Sequence, residues 1–251
     1  MISGFFRSLQ AYSKSIKYLS KPWVFKYLML SGFISLLVFG VLCGVVYVFG
    51  GDLGYNILGN FYDGDAPNWL ILLVGGFAKF ILWASLFLIM KYIILIVSAP
   101  FMSALSEKLE EKISPGYKDP KPNQLYSTIR GVRLATSNIV REILFTFPLF
   151  LLSFIPAFTI FTTALIFLIQ AYYAGFGNID FFMERRFSSQ EARRFISKRK
   201  GLAIGNGAIF LLLFIIPVVG AFIAPTMATL AATIACVSLD EYNTSMEYDN
   251  F

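Results

Sequence analysis

Apolar residues along this chain gather into four long blocks separated by short charged segments. Tyr27 to Phe49 is the first, 23 residues without a charge. At about 1.5 Å of rise per residue such a helix is about 34 Å long, enough to cross a hydrocarbon core of about 30 Å. A buried helix of a water-soluble protein would carry polar residues somewhere around its circumference, and this block has almost none. It predicts a transmembrane helix over 27–49. Trp69 to Val97 is the second block, interrupted only by Lys79 and Lys91. It predicts another transmembrane helix over 69–97, long enough to tilt or to project beyond the bilayer.

Ile143 to Ile179 and Gly201 to Leu239 are 37 and 39 residues without a charge. Each is too long for one comfortable span and short for two full spans with a loop. Ile155-Pro156 and Ile216-Pro217 stand near the middle of these blocks. Proline lacks a backbone donor and clashes with the preceding turn, so each block is predicted to break there into arms of roughly 12 to 20 residues. The result is two helical hairpins, 143–175 and 202–239, dipping into the bilayer from one side. Phe161 and Phe222 follow the two prolines at the same spacing, a hint of an internal repeat.

Between the blocks the periodicity changes. Over 4–19, Phe5, Leu9, Tyr12, Ile16 and Leu19 recur at spacings of three and four, with Arg7, Lys14 and Lys17 elsewhere, the pattern of a helix lying in the membrane interface. Residues 100–141 are expected to form a cytoplasmic helical segment. Its first helix sets Phe101, Leu105, Leu109 and Ile113 against Glu107, Lys108, Glu110, Glu111 and Lys112, and Ser114-Pro115-Gly116 stops it. Ser188-Ser189-Gln190-Glu191 fits a capping box that opens a basic helix carrying Arg193, Arg194 and Lys198. The basic helix reads first as a topology determinant and second as an attractor of anionic lipid or an anionic solute. Nucleic acid is conceivable but is not the expected partner.

Charge then orients the chain. Residues 1–26 hold Arg7, Lys14, Lys17, Lys21 and Lys26 with no acid, and 98–142 and 176–200 each hold seven Lys or Arg. The 50–68 connection holds Asp52, Asp63 and Asp65 with no base. An excess of basic residues marks cytoplasmic segments, which places both termini inside and the acidic loop outside. Residues 1–26 lack a compact apolar core and a small-residue cleavage site, so the first span is expected to serve as its own insertion signal. Composition agrees: 57% of residues are hydrophobic, 14% are charged, and mean hydropathy is +0.68. Soluble domains run closer to a quarter charged. A single all-α membrane domain over 1–251 is the expectation.

The chemistry on offer is narrow. Histidine is absent and Cys43 and Cys236 both sit in apolar runs, so disulfide frameworks, zinc sites and histidine acid–base catalysis lack their raw material. No hydrolase elbow, Walker loop or dinucleotide fingerprint occurs. Catalytic residues, metal ligands and cofactors are therefore not expected. The glycines of Gly201-Leu202-Ala203-Ile204-Gly205-Asn206-Gly207 open an apolar helix and read as close helix packing or as an anion-cradling backbone. An ammonium at membrane depth costs a few kcal/mol, so Lys79 and Lys91 either line a polar path or snorkel. Arg141-Glu142 reads as a local ion pair or as part of a pore mouth.

The order of these features resembles the CysZ sulfate-permease family and the wider etoposide-induced-protein domain superfamily. Ser98-Ala99-Pro100-Phe101-Met102-Ser103-Ala104-Leu105-Ser106-Glu107-Lys108-Leu109-Glu110 looks like the family's stretch leaving the second long helix. Pro100, Phe101, Leu105 and Glu107 match it, and Met102 and Ser103 replace the usual Asn-Gly. Pro67-Asn68-Trp69-Leu70, Arg141-Glu142, Ile155-Pro156, Arg199-Lys200 and Ile216-Pro217 through Pro225 continue the series in order, over roughly residues 4–242. The resemblance implies two long transmembrane helices plus two partly penetrating hairpins, a homo-oligomer, and sulfate uptake across the inner membrane. The family's sulfate-contacting Gly-Leu-Arg turn is diverged here: Pro22 is followed by Trp23-Val24-Phe25-Lys26. The expected function is that of a permease for a small inorganic anion, sulfate first, in contact with membrane lipid. Its candidate pathway residues are Lys26, Lys79, Ser98, Pro100, Phe101, Ser103, Glu107 and Arg141. The other expectation is a non-transporting membrane protein that organises lipid or scaffolds partners.

Overall fold

The structure, a computed structural model, describes residues 1–50, 67–114, 124–216 and 219–248. Everything described that is regular is helix: α1 (Ile2–Leu19), α2 (Pro22–Gly50), α3 (Asn68–Ile113), α4 (Gln124–Leu152), α5 (Pro156–Met183), α6 (Ser189–Lys198), α7 (Lys200–Phe214) and α8 (Val219–Tyr248). Among the described residues, five stretches are long and apolar enough to cross a membrane: Pro22–Val48, Met90–Ile113, Ile129–Leu152, Pro156–Met183 and Phe222–Leu239. Phe33, Leu72, Leu144, Ile160 and Phe161 are all more than 60% exposed. So much apolar surface facing outward is what lipid, and not water, selects. The chain is an all-α membrane protein.

It divides into two compact units, Met1–Ile34 with Leu95–Phe251, and Ser35–Ile94. In the larger unit α5 packs most extensively on α7, and α1 crosses α7 and α8. Glycine makes the α5–α7 contact possible. A Cβ on Gly207 would lie 1.8 Å from the Ala171 carbonyl oxygen, and one on Gly175 would lie 1.9 Å from that of Ala203. Gly201 and Gly205 meet the α1 backbone in the same way. The glycines of 201–207 thus serve close helix packing. Asn206 donates to the Ala228 carbonyl and accepts from Asn178, tying α5, α7 and α8 together through one buried amide.

Helix α1 turns its small and polar residues inward. Ser8 donates to the Leu202 carbonyl and Tyr12 to that of Asn206, while Ile2, Phe6, Leu9 and Ile16 are exposed. The stripe read from the sequence is therefore split, with Tyr12 inside the protein and Phe5, Leu9 and Ile16 outside. A face that must leave water can pack on protein or on lipid, and α1 divides its own between them.

The first hairpin breaks at Ile155-Pro156, with Pro156 at the start of α5. Its arms are 29 and 28 residues, against the expected 12 to 20, because both helices run on past the uncharged block. The segment over 100–141 likewise does not stand apart. Residues 100–113 complete α3, which passes through Pro100 without ending, and 124–141 begin α4. Pro148 and Pro225 also lie inside helices. A proline loses one backbone bond, but where water is scarce a helix is still the cheapest way to satisfy all the others. In the second hairpin α7 ends at Phe214 and α8 starts at Val219. Pro217 falls outside the described residues, as do Asp52, Asp63, Asp65, Pro115 and Gly116.

In the smaller unit, Val38 and Leu42 are buried and Tyr47, Trp69, Leu72 and Leu73 are exposed. Lys91 is 2% exposed, its ammonium 4.9 Å above the Tyr92 ring, whereas Lys79 is exposed.

Candidate functional site

Helix α3 carries the segment Ser98 to Glu110 into the larger unit. Ser98, Met102, Leu105 and Leu109 recur at three- and four-residue spacing and are fully buried, with Ser103, Ser106 and Glu110 buried beside them. Pro100, Phe101 and Glu107 are half-buried. The Ser98 hydroxyl has no hydrogen-bond partner among the described residues, a cost unless something else reaches it.

One turn further on, α3 meets the end of α5 in a lattice of opposite charges. Arg130 of α4 grips Asp180 through two bonds, Nε to Oδ2 at 3.0 Å and Nη2 to Oδ1 at 2.7 Å, and also donates to the Phe187 carbonyl. Arg185 donates to Glu110 Oε2 at 2.8 Å, to the Phe181 carbonyl at 2.9 Å and to Ser106 Oγ at 3.1 Å. Arg186 donates to the other oxygen of Glu110, and both guanidinium groups lie over the Phe182 ring. Ser106 continues the network to Thr233 of α8. Forked guanidinium–carboxylate pairs of this kind hold direction as well as charge.

Glu184 sits among these groups as a different case. Burial is the main reason its pKa is raised, to about 7, with the Ser103 hydroxyl bond, Arg130 and Arg185 acting against burial and Asp180 with it. Its Oε1 is buried and has no partner among the described residues. Near neutral pH the lattice therefore switches between two states of charge at Glu184.

The remaining sequence candidates are dispersed. Lys26 is exposed, with its ammonium 4.9 Å above the Tyr27 ring. The turn before it is helical, and the amides of Val24 and Phe25 both donate to the Lys21 carbonyl. Trp23 stands where the family turn has glycine, and its ring receives the ammonium groups of Lys108 and Lys112 at 5.9 and 5.5 Å. Lys79 belongs to the smaller unit. Arg141 is exposed and lines a cavity with Arg193 and Arg194, while its neighbour Glu142 is buried. Of the candidates, Ser103 joins the charge lattice through its hydroxyl bond to Glu184.

Sequence reasoning missed Arg130, Asp180, Glu184, Arg185 and Arg186. Asp180 and Glu184, one turn apart at the end of a long uncharged block, were the available signal. Asp180 meets Arg130 50 residues away, and Arg185 and Arg186 meet Glu110 75 and 76 residues away, which no local pattern reveals.

Compared with curated proteins, the chain has no match. The family model described as sulfate transporter CysZ/etoposide-induced protein 2.4 matches residues 11–225, from within α1 through the first hairpin to Pro225 near the start of α8. By this match, over most of its length, the chain belongs to the sulfate transporter CysZ/etoposide-induced protein 2.4 family.

Proposed function

We propose that this protein is a permease or channel-like transporter of a small inorganic anion, with sulfate as the first candidate. The observation that carries the reading is family membership across residues 11–225, a span that includes the buried charge lattice. Charged side chains are kept at the ends of membrane helices only where they pair or serve a path, and this lattice does the former while leaving Ser98 and Glu184 unsatisfied. Ser98, Ser103 and Lys26 would replace part of the ion's hydration, and the hairpins would wall the path from lipid. No catalytic step is assigned. The inner membrane, cytoplasmic termini and a homo-oligomer complete the proposal, the first two from the basic segments and the last from the family resemblance.

A second reading is favoured by one observation. The amides of Val24 and Phe25 both donate to the Lys21 carbonyl and so are not free to cradle an anion. On that reading the protein organises lipid or scaffolds partners and moves no ion. Growth of a sulfate-transport-deficient host on limiting sulfate separates the two. Rescue by this gene is expected; failure to grow, with the protein present in the membrane at normal levels, would favour the scaffold.

A further inference from the structure

A cavity of about 220 Å³ opens at the base of the first hairpin, lined by Arg141 of α4, Tyr172, Tyr173 and Phe176 of α5, and Arg193, Arg194 and Ser197 of α6. The capping box fixes α6, since Ser188 Oγ accepts from the Glu191 amide while the Glu191 carboxylate accepts from the Ser188 amide. Buried Ala192 and Ile196 then seat the helix, which leaves Arg193, Arg194 and Ser197 on its cavity side. Three guanidinium groups thus converge on one small space.

The Arg193 guanidinium lies over the Phe176 ring, 5.7 Å from its centroid, and the carboxylate next to Arg141 in the chain, Glu142, is buried. Arg193 Nη1 is closed off from solvent and donates to nothing among the described residues. Its pKa is lowered, first by burial and then by the Arg141 charge. Asp180, whose field opposes that shift, is already gripped by Arg130. Glu191 is occupied at the helix cap. The cavity is a site prepared for an oxyanion.

Depth says which oxyanion. Arg141 stands two residues before the uncharged block that begins at Ile143. One turn deeper, Leu144 and Phe145 on α4 and Leu168 on α5 are 66%, 55% and 43% exposed. Cationic heads at the edge of a hydrocarbon-facing surface, flanked by tyrosines, mark the level of lipid phosphates.

We propose that the cavity of Arg141, Arg193 and Arg194 binds the phosphate of an anionic phospholipid, whose acyl chains run over Leu144, Phe145 and Leu168. Tyr172 and Tyr173 line the same cavity, with Arg141 supplied by α4 and the other two arginines by α6. Lipid binding at this cavity can be measured independently of transport.

Native mass spectrometry of the full chain in detergent, titrated with phosphatidylglycerol, phosphatidylcholine or inorganic phosphate, tests this. Phosphatidylglycerol should bind more tightly than phosphatidylcholine. The R193Q/R194Q pair should weaken it about 30-fold, as expected for two basic contacts of about 1 kcal/mol each. K198Q/K200Q removes the same charge from residues that do not line the cavity and should change binding less than about twofold. R193K/R194K, which keeps charge without the planar fork, should fall between, and this holds the test open if the glutamine pair folds poorly. Equal binding of the two lipids, equal loss in the lysine control, or displacement of lipid by equimolar inorganic phosphate would each overturn the proposal. The last outcome would make the cavity a site for the free ion.

Discussion

Removing one member of the Arg130–Asp180 pair should destabilise the protein far more than removing both. The two side chains are 2% and 5% exposed and joined by two bonds, so solvent screens their attraction little. At an effective dielectric of about 20, opposite charges about 4 Å apart attract by about 4 kcal/mol. Desolvation offsets much of this in the intact pair, but a lone buried charge keeps the whole penalty, about 3–5 kcal/mol. Arg130→Met and Asp180→Leu should each lose about that much. The double variant should regain most of it, because two apolar side chains then fill a space that asks for no charge. The assay is reversible unfolding in mixed detergent micelles, read by far-ultraviolet circular dichroism and closed as a double-mutant cycle. With single losses of about 3–5 kcal/mol each and a double loss of about 1 kcal/mol, a coupling energy of about 5–9 kcal/mol is expected. Single variants within about 0.5 kcal/mol of the parent, or strictly additive effects, would refute the reasoning, since either result means that the pair is not buried together.

Further predictions follow from the same packing. Glu184 has a folded-state pKa of about 7, above its ordinary value, so the folded protein holds its proton more firmly than the unfolded chain. Its contribution to stability is full below about pH 4.5, declines between there and about pH 7, and then levels off about 3 kcal/mol lower. Glu184→Gln should flatten that decline in thermal unfolding curves collected from pH 4.5 to 8, and an unchanged slope would show that Glu184 is not buried. Gly207→Ala pushes a methyl into the Ala171 carbonyl and should cost at least about 1–3 kcal/mol in the same micelles. Gly40→Ala meets nothing within 4 Å and should be neutral or gain up to about 1 kcal/mol from helix propensity; equal losses would mean that the close helix contact is absent. A cysteine at exposed Ala157, at the first hairpin's tip, should react with a membrane-impermeant maleimide added outside if arms of 28 and 29 residues cross fully, and should stay unlabelled if the hairpin only dips inward.

What the sequence made legible is what the bilayer dictates. Uncharged runs long enough to span, the break at Ile155-Pro156, the capping box at Ser188 and the family order all depend on residues close together in the chain, and they can be read there. The lengths of the hairpin arms were not legible, because α4 and α5 continue as helix into charged segments where hydropathy falls but hydrogen bonding does not. Pro100 stays inside α3 for a related reason. A proline in water ends a helix more readily than one whose neighbours have no other way to bond. The charge lattice escaped because each partner, taken alone, resembles an ordinary cytoplasmic charge; only folding brings Glu110 to Arg185 or Arg130 to Asp180. Lys79 drew notice as a charge inside an apolar run and Lys26 as the charge next to the diverged family turn; both are exposed. The more telling signal was the pair Asp180 and Glu184, acids placed where an apolar helix ends.

The proposed function rests on passage of an anion through this fold, and flux into sealed vesicles measures it most directly. Radiolabelled sulfate should enter proteoliposomes holding the purified protein faster than it enters empty ones. Lys26→Ala should slow entry about tenfold, the loss of one charge-assisted contact of about 1.5 kcal/mol. Entry no faster than into empty vesicles, for sulfate and for related oxyanions alike, would contradict the account.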